Sequence, residues 1–209
     1  MVDHEPERKR QIGEGAGKVR PEVPRRAADQ NHHFAGNSPD KILRMPEVEI
    51  DASVSKAERY RALETSLESL LEGESDALAN LSNAAAHLAQ SLDRINWCGF
   101  YLLRGDELVL GPFQGKPACV RIAVGRGVCG SAAARRETVV VPDVTSFPGH
   151  IACDPASRSE IVVPILESGE LRGVLDVDGP EPARFDDEDR KGLERFVAVL
   201  IPRIAWGRL

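Results

Sequence analysis

Apolar residues recur every three or four positions in three stretches of the chain, with charged and polar residues between them. This spacing places the apolar side chains on one face of an α-helix, so each stretch is predicted to be an amphipathic helix. The predicted helices cover residues 55–71, 77–92 and 186–204. Gly73 ends the first, Asp76 can cap the second, and Phe185 precedes an acidic first turn in the third.

Between these helices the pattern changes to short apolar runs separated by turn residues, which is typical of β-strands. Strands are predicted at residues 97–103, 107–110, 119–124, 138–141, 160–166 and 171–177. Turns at 104–106 and 167–170 join two pairs of them as hairpins, and a short alanine-rich helix is predicted at 130–136. The sequence therefore predicts an α+β domain, in which a central antiparallel β-sheet has the N- and C-terminal helices packed on one face.

The first 45 residues differ from the rest of the chain in composition. They have no helical or strand periodicity and are rich in proline, glycine and charge. We therefore expect a disordered N-terminal extension over residues 1–45 and one domain over residues 46–209. Met45 stands where the patterning begins and is our candidate for the natural start. The extension also holds three histidines, for which we expect solvated side chains rather than a metal site: His4, His32 and His33.

Charge divides the chain at the same place. The extension has nine Lys and Arg against seven Asp and Glu, which leaves 18 basic against 26 acidic residues for the domain. An acidic domain is poorly suited to bind nucleic acid, because phosphate contacts need clustered basic residues. No apolar run is long enough to span a membrane, and the first 30 residues are too polar for a secretory signal. We expect a cytoplasmic protein, in which disulfides are transient and catalytic rather than structural.

Three of the four cysteines lie between residues 111 and 160, each beside glycine, proline or a short polar residue. This placement favours thiol chemistry over packing. Cys129 precedes the short predicted helix, where backbone N–H groups and the helix dipole are expected to lower the pKa of its thiol. Cys153 lies in a long predicted loop, and Cys119 begins a predicted strand. Cys98 lies inside a strand and is expected to be a small buried hydrophobic residue.

Two other kinds of site compete for the same stretch. Residues 125–130 read G-R-G-V-C-G, which has the glycine spacing of a dinucleotide-binding loop. The helix that follows is too short for the crossover of such a fold, so we expect no nucleotide there. A zinc site could use His150 and Cys153 together with Cys119 and Cys129, but the chain has no C-x-x-C pair. We favour a redox site over both.

Six motifs carry a more specific signal. They are N-W-C-G-F-Y (96–101), L-G-P-F-Q-G-K-P-A-C (110–119), G-R-G-V-C-G (125–130), G-H-I-A-C-D (149–154), S-E-I-V-V-P (159–164) and G-V-L-D-V-D (173–178). In this order they resemble the free methionine-(R)-sulfoxide reductases, which are GAF-domain enzymes. The resemblance covers residues 60–203 and implies a GAF-like catalytic domain.

The resemblance implies thiol-dependent reduction of free L-methionine-(R)-sulfoxide to L-methionine. A cysteine sulfenic acid would be resolved as an intramolecular disulfide, thioredoxin would recycle the enzyme, and no bound cofactor or metal is expected. Among the family's cysteines, Cys153 in the loop just before Glu160 is our candidate for the nucleophile, with Cys119 as the resolving thiol. Cys129 is the rival nucleophile or a second resolving group.

The same resemblance assigns the substrate pocket. Glu160, Asp176 and Asp178 match the family's binding carboxylates for the substrate ammonium, and Trp97 and Tyr101 match its aromatic wall. The two aspartates are two positions apart in a strand, so they point to one face. Burial among like charges should raise the pKa of Glu160 or Asp178, so that one of them can protonate the sulfoxide oxygen. The alternative is an exposed, charged strand face.

A rival function remains for the same fold. GAF domains also act without catalysis, as sensors of a redox signal or a small ligand, so the fold alone does not establish an enzyme. The predicted terminal helices, 55–71 and 186–204, could also pair two copies as a homodimer as well as cover the sheet.

Overall fold

The computed structural model describes residues 54–151 and 153–208. The predicted disordered extension, its histidines and the proposed start at Met45 lie outside these residues. The described part contains four α-helices: α1 (Lys56–Leu70), α2 (Ala77–Ser91), α3 (Gly127–Arg135) and α4 (Asp187–Leu200). Ser55 and Glu58 form a capping box at α1, Asp76 caps α2, and Asp186 caps α4. These caps stabilise the helix starts where the sequence predicted them.

Six strands form one sheet in which each neighbouring pair is antiparallel. They are β1 (Trp97–Arg104), β2 (Glu107–Gln114), β3 (Arg121–Ala123), β4 (Val139–Val141), β5 (Ser159–Glu167) and β6 (Glu170–Gly179). Their order across the sheet is β3-β2-β1-β6-β5-β4. The predicted α+β class and antiparallel sheet are confirmed.

Helices α1, α2 and α4 lie together on one face of the sheet, as predicted, and bury the larger apolar core. Leu67, Leu88 and Phe196 from the helices pack with Phe100 and Val177 from the strands, all essentially inaccessible to solvent. This face contains no functional side chain proposed from the sequence. Its role is to hold the central strands β1 and β6 rigidly in place.

The opposite face carries α3 and the loop over residues 142–157, which contains a 3₁₀ turn at Val144–Ser146. The helix α3 begins at Gly127, three residues earlier than predicted, so Cys129 lies inside its first turn and not before it. Gly130 lies so close to the Ala123 carbonyl oxygen that a Cβ there would collide with it. In the motif G-R-G-V-C-G, this glycine therefore allows α3 to pack directly against the chain after β3.

The limits of several strands differ from the sequence predictions. The strand predicted at 119–124 is only three residues long, while β2 extends four residues past its predicted end through Gly111 and Pro112. Both changes leave Cys119 in an irregular segment between β2 and β3. Within the part of the chain that the structure describes, no helix is long and apolar enough to cross a bilayer.

Candidate active site

A cleft of about 530 Å³, including its open mouth, lies between α3, the 142–157 loop and the sheet. It is lined by every site residue proposed from the sequence except Cys119, whose disulfide partner Cys153 lies at the cleft. The seven are Trp97, Tyr101, Cys129, Cys153, Glu160, Asp176 and Asp178. The structure thus brings together residues from β1, α3, β5 and β6 that are far apart in the sequence.

Three carboxylates form the floor of the cleft because of the register of the central strands. Glu160 in β5 lies directly opposite Asp178 in β6. Asp176 precedes Asp178 by two positions in β6, so it lies on the same face of the sheet. Glu160 and Asp176 are each only 6% exposed. The alternative of an exposed strand face is therefore wrong, because these acidic side chains are buried next to one another.

Burial and mutual repulsion control the protonation of this floor. Burial, followed by the charges of Asp176 and Asp178, raises the pKa of Glu160 well above its ordinary value. Burial also raises the pKa of Asp178 well above its ordinary value and that of Asp176 to about 6. The predicted direction for Glu160 and Asp178 is confirmed. The raised pKa values favour the protonated form of Glu160 and Asp178, which can act as a proton donor, and one oxygen of Asp176 has no hydrogen-bond partner among the described residues.

Cys129 occupies the back of the cleft, where its Sγ lies 3.8 Å from Glu160 Oε1. The thiol is buried and free. Burial, followed by the charges of Asp176 and Glu160, raises its pKa well above the ordinary value. The expectation of a lowered pKa at a helix start is wrong, because the thiol faces carboxylates inside the fold and these outweigh the helix dipole.

Aromatic side chains form one wall of the cleft. Trp97 stacks on Tyr101 with ring centroids 5.9 Å apart and on Phe113 with centroids 5.4 Å apart. Trp97 Nε1 donates to the Lys116 carbonyl oxygen at 3.1 Å, and the Tyr101 hydroxyl donates to the Cys119 carbonyl oxygen at 3.0 Å. The wall therefore also fixes the backbone of the segment that carries Cys119.

A disulfide joins Cys119 to Cys153, with Cα atoms 5.7 Å apart and a separation of 34 positions in the sequence. Cys119 comes from the segment after β2 and Cys153 from the 142–157 loop, so the bond connects two sides of the cleft mouth. A thiol pair that can close in this way is suited to accept oxidation at one sulfur and resolve it with the other.

Three residues that line the cleft, and Phe113 next to them, have no role in the redox interpretation of the sequence, where His150 appears only as a possible zinc ligand. Phe113 extends the aromatic wall, and His150 Nε2 lies 3.9 Å from Glu160 Oε2, with burial lowering the pKa of the imidazole. Lys116 and Asp154 line the mouth. All four lie inside the quoted motifs, and the motifs were the one feature of the sequence that could have identified them. The spacing of these four residues along the chain indicates no site by itself.

The zinc set suggested by the sequence is not assembled, because Cys119 and Cys153 are bonded to each other. A different group, Cys129, Glu160 and Asp176, places one ligand atom from each residue within 4.8 Å of the others. These atoms also form the polar floor of the cleft. Cys98 lies on the opposite face of the sheet, with no solvent exposure, and burial raises its pKa to about 12. Its expected structural role agrees with this position.

Comparison with known proteins agrees with this geometry. The GAF domain family matches residues 73–201. The chain is 53% identical over 147 residues to the free methionine-R-sulfoxide reductase of Escherichia coli, covering 70% of this chain and 89% of that protein. A structure of the Neisseria meningitidis free methionine-R-sulfoxide reductase in complex with its substrate is 46% identical, with a TM-score of 0.71, covering 75% of this chain and 95% of that one. A structure of reduced fRMsr from Staphylococcus aureus is 53% identical, with a TM-score of 0.67, covering 69% and 94%.

Proposed function

Because the chain belongs to the free methionine-R-sulfoxide reductase family of GAF-domain proteins, we propose that it reduces free L-methionine-(R)-sulfoxide to L-methionine. One observation carries the proposal: a disulfide between Cys119 and Cys153 lies at the mouth of a cleft that has buried carboxylates on its floor. A sensor of a small ligand would not require this thiol pair, and a redox sensor would not require a proton donor beside it.

The buried carboxylates account for a free amino acid as the substrate. A free amino acid carries an ammonium group that a residue within a polypeptide lacks, and a buried ammonium requires anionic partners. Asp176 has an unpartnered oxygen in the cleft and is the primary partner for this ammonium, with Asp178 beside it. Trp97 and Tyr101 contact the methyl-sulfur end of the substrate, where an aromatic face stabilises the positive character of the activated sulfur.

The first chemical step transfers oxygen from the substrate to the enzyme. The Cys153 thiolate attacks the sulfoxide sulfur while Glu160, whose pKa burial raises well above its ordinary value, protonates the sulfoxide oxygen. The adduct has a new bond between the Cys153 sulfur and the substrate sulfur, which still carries the hydroxyl. The hydroxyl then moves to the Cys153 sulfur as the sulfur–sulfur bond and the substrate sulfur–oxygen bond break, so methionine leaves with the electron pair on its sulfur and Cys153 becomes a sulfenic acid. The substrate sulfur is reduced by two electrons, and the Cys153 sulfur is oxidised by two.

The second step regenerates a dithiol. The Cys119 thiol attacks the Cys153 sulfenic acid, water leaves, and the disulfide forms. Thioredoxin, as an external dithiol, then reduces this bond by thiol–disulfide exchange, and no bound cofactor takes part. Such a cycle fits the reducing conditions of the cytoplasm and would recover methionine oxidised during oxidative stress.

The direct test is turnover of each epimer by the reduced protein. We would supply free methionine (R)- or (S)-sulfoxide with dithiothreitol and follow methionine by chromatography. We expect loss of the (R) epimer only, and no turnover by the Cys153→Ser variant. Turnover by Cys153→Ser would assign the nucleophile to Cys129 instead. No methionine from either epimer would contradict an enzyme and support the sensor function.

The oligomeric state is part of the proposal. Helices α1 and α4 pack side by side on one face, with Gly192 of α4 directly against the Tyr60 ring of α1, and their outer surfaces are exposed among the described residues. We propose a homodimer through these helices. Light scattering during gel filtration would show twice the chain mass of 22.8 kDa, whereas a single chain mass would contradict it.

A further inference from the structure

Three polar residues with no role in the proposed chemistry converge beside the disulfide. Asp154 directly follows Cys153, Lys116 lies three residues before Cys119, and Asn96 precedes β1. Lys116 Nζ lies 3.3 Å from Asp154 Oδ1, and Asn96 Nδ2 donates to Asp154 Oδ2 at 3.3 Å. One carboxylate therefore connects both cysteine segments to the sheet.

Asp154 is held from several sides, although it lies in a loop. Its Oδ1 also accepts from the Ala156 backbone N–H at 2.9 Å, and only 8% of the residue is exposed. The Ala156 backbone hydrogen bond, with a contribution from Lys116, keeps the pKa of Asp154 below its ordinary value. A buried, ionised carboxylate with these donors is costly to displace, so it fixes the position of the loop around it.

The anchor below Asp154 belongs to the rigid part of the fold. The Asn96 backbone N–H donates to the Asp178 carbonyl oxygen at 3.0 Å, which continues the pairing of β1 with β6. The Asn96 side-chain amide also donates to the Ser157 hydroxyl at 3.0 Å. Both ends of the short segment 154–157 are therefore tied to the same asparagine, just beyond Cys153.

Asp143 provides an internal contrast in the same loop. Its Oδ1 accepts from the backbone N–H and the hydroxyl of Thr145, a local turn comparable to that of Asp154 and Ala156. The only longer contact of its side chain among the described residues is with Arg158 at 3.9 Å, again within the loop segment. Asp143 caps a turn, whereas Asp154 joins three separate parts of the chain.

We propose that Asp154 is a positioning residue for Cys153: it holds the Cys153 segment against Asn96 and Lys116, so that the two thiols stay within reach of each other when the disulfide is reduced. This inference rests on the proposed function only for its purpose, since the contacts themselves are independent of any substrate. A segment fixed in this way raises the effective concentration of one thiol relative to the other.

The test is the equilibrium of the thiol pair with glutathione. One glutathione disulfide oxidises Cys119 and Cys153 to their disulfide and is itself reduced to two glutathione thiols. At known concentrations of both glutathione forms, the ratio of disulfide to dithiol protein therefore measures the effective concentration of one cysteine thiol relative to the other. We expect Asp154→Asn to lower it by about threefold to tenfold, since the charge that holds Lys116 is lost. The matched control Asp143→Asn should leave it unchanged. Peptide mapping after alkylation measures the disulfide between these two cysteines specifically.

Lys116 allows a second test that leaves the buried Asp154 side chain unchanged. The Lys116 side chain is 68% exposed, so replacing it disturbs no buried group. Lys116→Gln should lower the effective concentration by about twofold, and Lys116→Arg should restore it, since an exposed ion pair contributes little. In turnover, Asp154→Asn should lower kcat while KM stays within about twofold, because disulfide closure is slowed and the pocket is intact.

Equal effective concentrations for Asp154→Asn, Asp143→Asn and the unchanged protein would overturn the inference. A higher KM for Asp154→Asn with an unchanged kcat and an unchanged glutathione equilibrium would also overturn it, because these results would assign Asp154 to substrate binding. The glutathione experiment contains no sulfoxide. A shift there together with no methionine formation would contradict the proposed function and leave the positioning role of Asp154 standing.

Discussion

The two faces of the central sheet bury side chains of opposite character from the same two strands. In β1 and β6, Phe100 and Val177 point to the helical face and join an apolar core, whereas Trp97, Asp176 and Asp178 point to the cleft. The helical face gains free energy by removing apolar area from water. The carboxylate floor of the cleft face costs free energy, because Glu160, Asp176 and Asp178 lie beside one another and burial lowers the pKa of the nearby His150 imidazole, which favours its neutral form. The first face stabilises the strands so that the second can hold a destabilising arrangement.

The two free cysteines show the same difference at the level of single residues. Cys98 and Cys129 are both buried, and burial raises the pKa of both thiols. Cys98 is surrounded by the apolar core and its Sγ donates to the Ala85 carbonyl oxygen at 3.5 Å, whereas Cys129 faces Glu160 and Asp176. Burial alone therefore does not identify a functional thiol. Direct contact with a carboxylate distinguishes the two, since Asp176 and Asp178 also raise the pKa of Cys98 but lie on the other face of the sheet.

The largest expected effect is on the helical face. Phe100→Ala should reduce the free energy of unfolding by about 3–5 kcal/mol, because it opens a cavity in a fully buried core. Thermal unfolding should show a Tm roughly 10 °C lower. The kcat/KM of the folded protein at low temperature should remain within about twofold, since the ring points away from the cleft. A large loss of kcat/KM in the folded variant would contradict the separation of the two faces.

The converse substitution on the cleft face is Asp176→Asn. We expect kcat/KM to fall by about 100-fold, because the charged partner for the substrate ammonium is lost. The free energy of unfolding at pH 7.5 should rise by on the order of 2 kcal/mol, since a carboxylate with a raised pKa is removed. This gain in stability is present above pH 6 and disappears below the unfolded pKa near 3.8. Denaturant unfolding at two pH values measures it, and a destabilised Asp176→Asn would contradict the balance described above.

A smaller effect is the pH dependence of substrate binding. The pKa of Asp176 is raised to about 6, so the carboxylate becomes neutral as the pH falls through that value and its attraction for the ammonium is lost. We expect kcat/KM to fall by about tenfold for each unit below pH 6. The free energy of unfolding should change in the opposite direction over the same range and increase. A kcat/KM that stays constant down to pH 4 would contradict an ionised Asp176 as the binding group.

The smallest expected effect is that of Cys98→Ala. Loss of the buried sulfur should lower the free energy of unfolding by about 1 kcal/mol, and kcat/KM should not change. The matched variant Cys129→Ala should alter the pH profile of kcat/KM, because its thiol borders Glu160. Equal pH profiles for the two variants would show that the surroundings of Cys129 have no influence on the floor of the cleft.

Local signals predicted most of the fold. The capping residues Ser55, Asp76 and Asp186 and the turns at 104–106 and 167–170 act within a few residues, so the helix starts and both hairpins could be placed from the sequence. The start of α3 could not be placed, because Gly127 has a positive φ and lies where a Cβ would press against the Ile151 side chain. That contact comes from a distant part of the chain.

The candidate site was predicted as a set of residues, and its electrostatic environment was predicted for the carboxylates but not for Cys129. The alternation of Asp176 and Asp178 along one strand gave their common face, and the motifs gave Trp97 and Tyr101. The raised pKa of Cys129 depends on a helix, α3, lying over two strands that occur later in the chain. The contact of Asp154 with Asn96 and Lys116 likewise spans 58 and 38 residues, which no local pattern reports.

The close approach at Gly130 bears on how genomes are searched for nucleotide-binding proteins. Its missing Cβ leaves space for the Ala123 carbonyl oxygen, and its own carbonyl accepts from the Gly125 backbone N–H at 2.7 Å. The spacing G-x-G-x-x-G is therefore also compatible with a tight loop between a strand and a helix, in which the loop is closed by its own backbone hydrogen bond. A screen that scores only the glycines would count this chain as a false positive, and requiring a parallel strand after the helix would remove it.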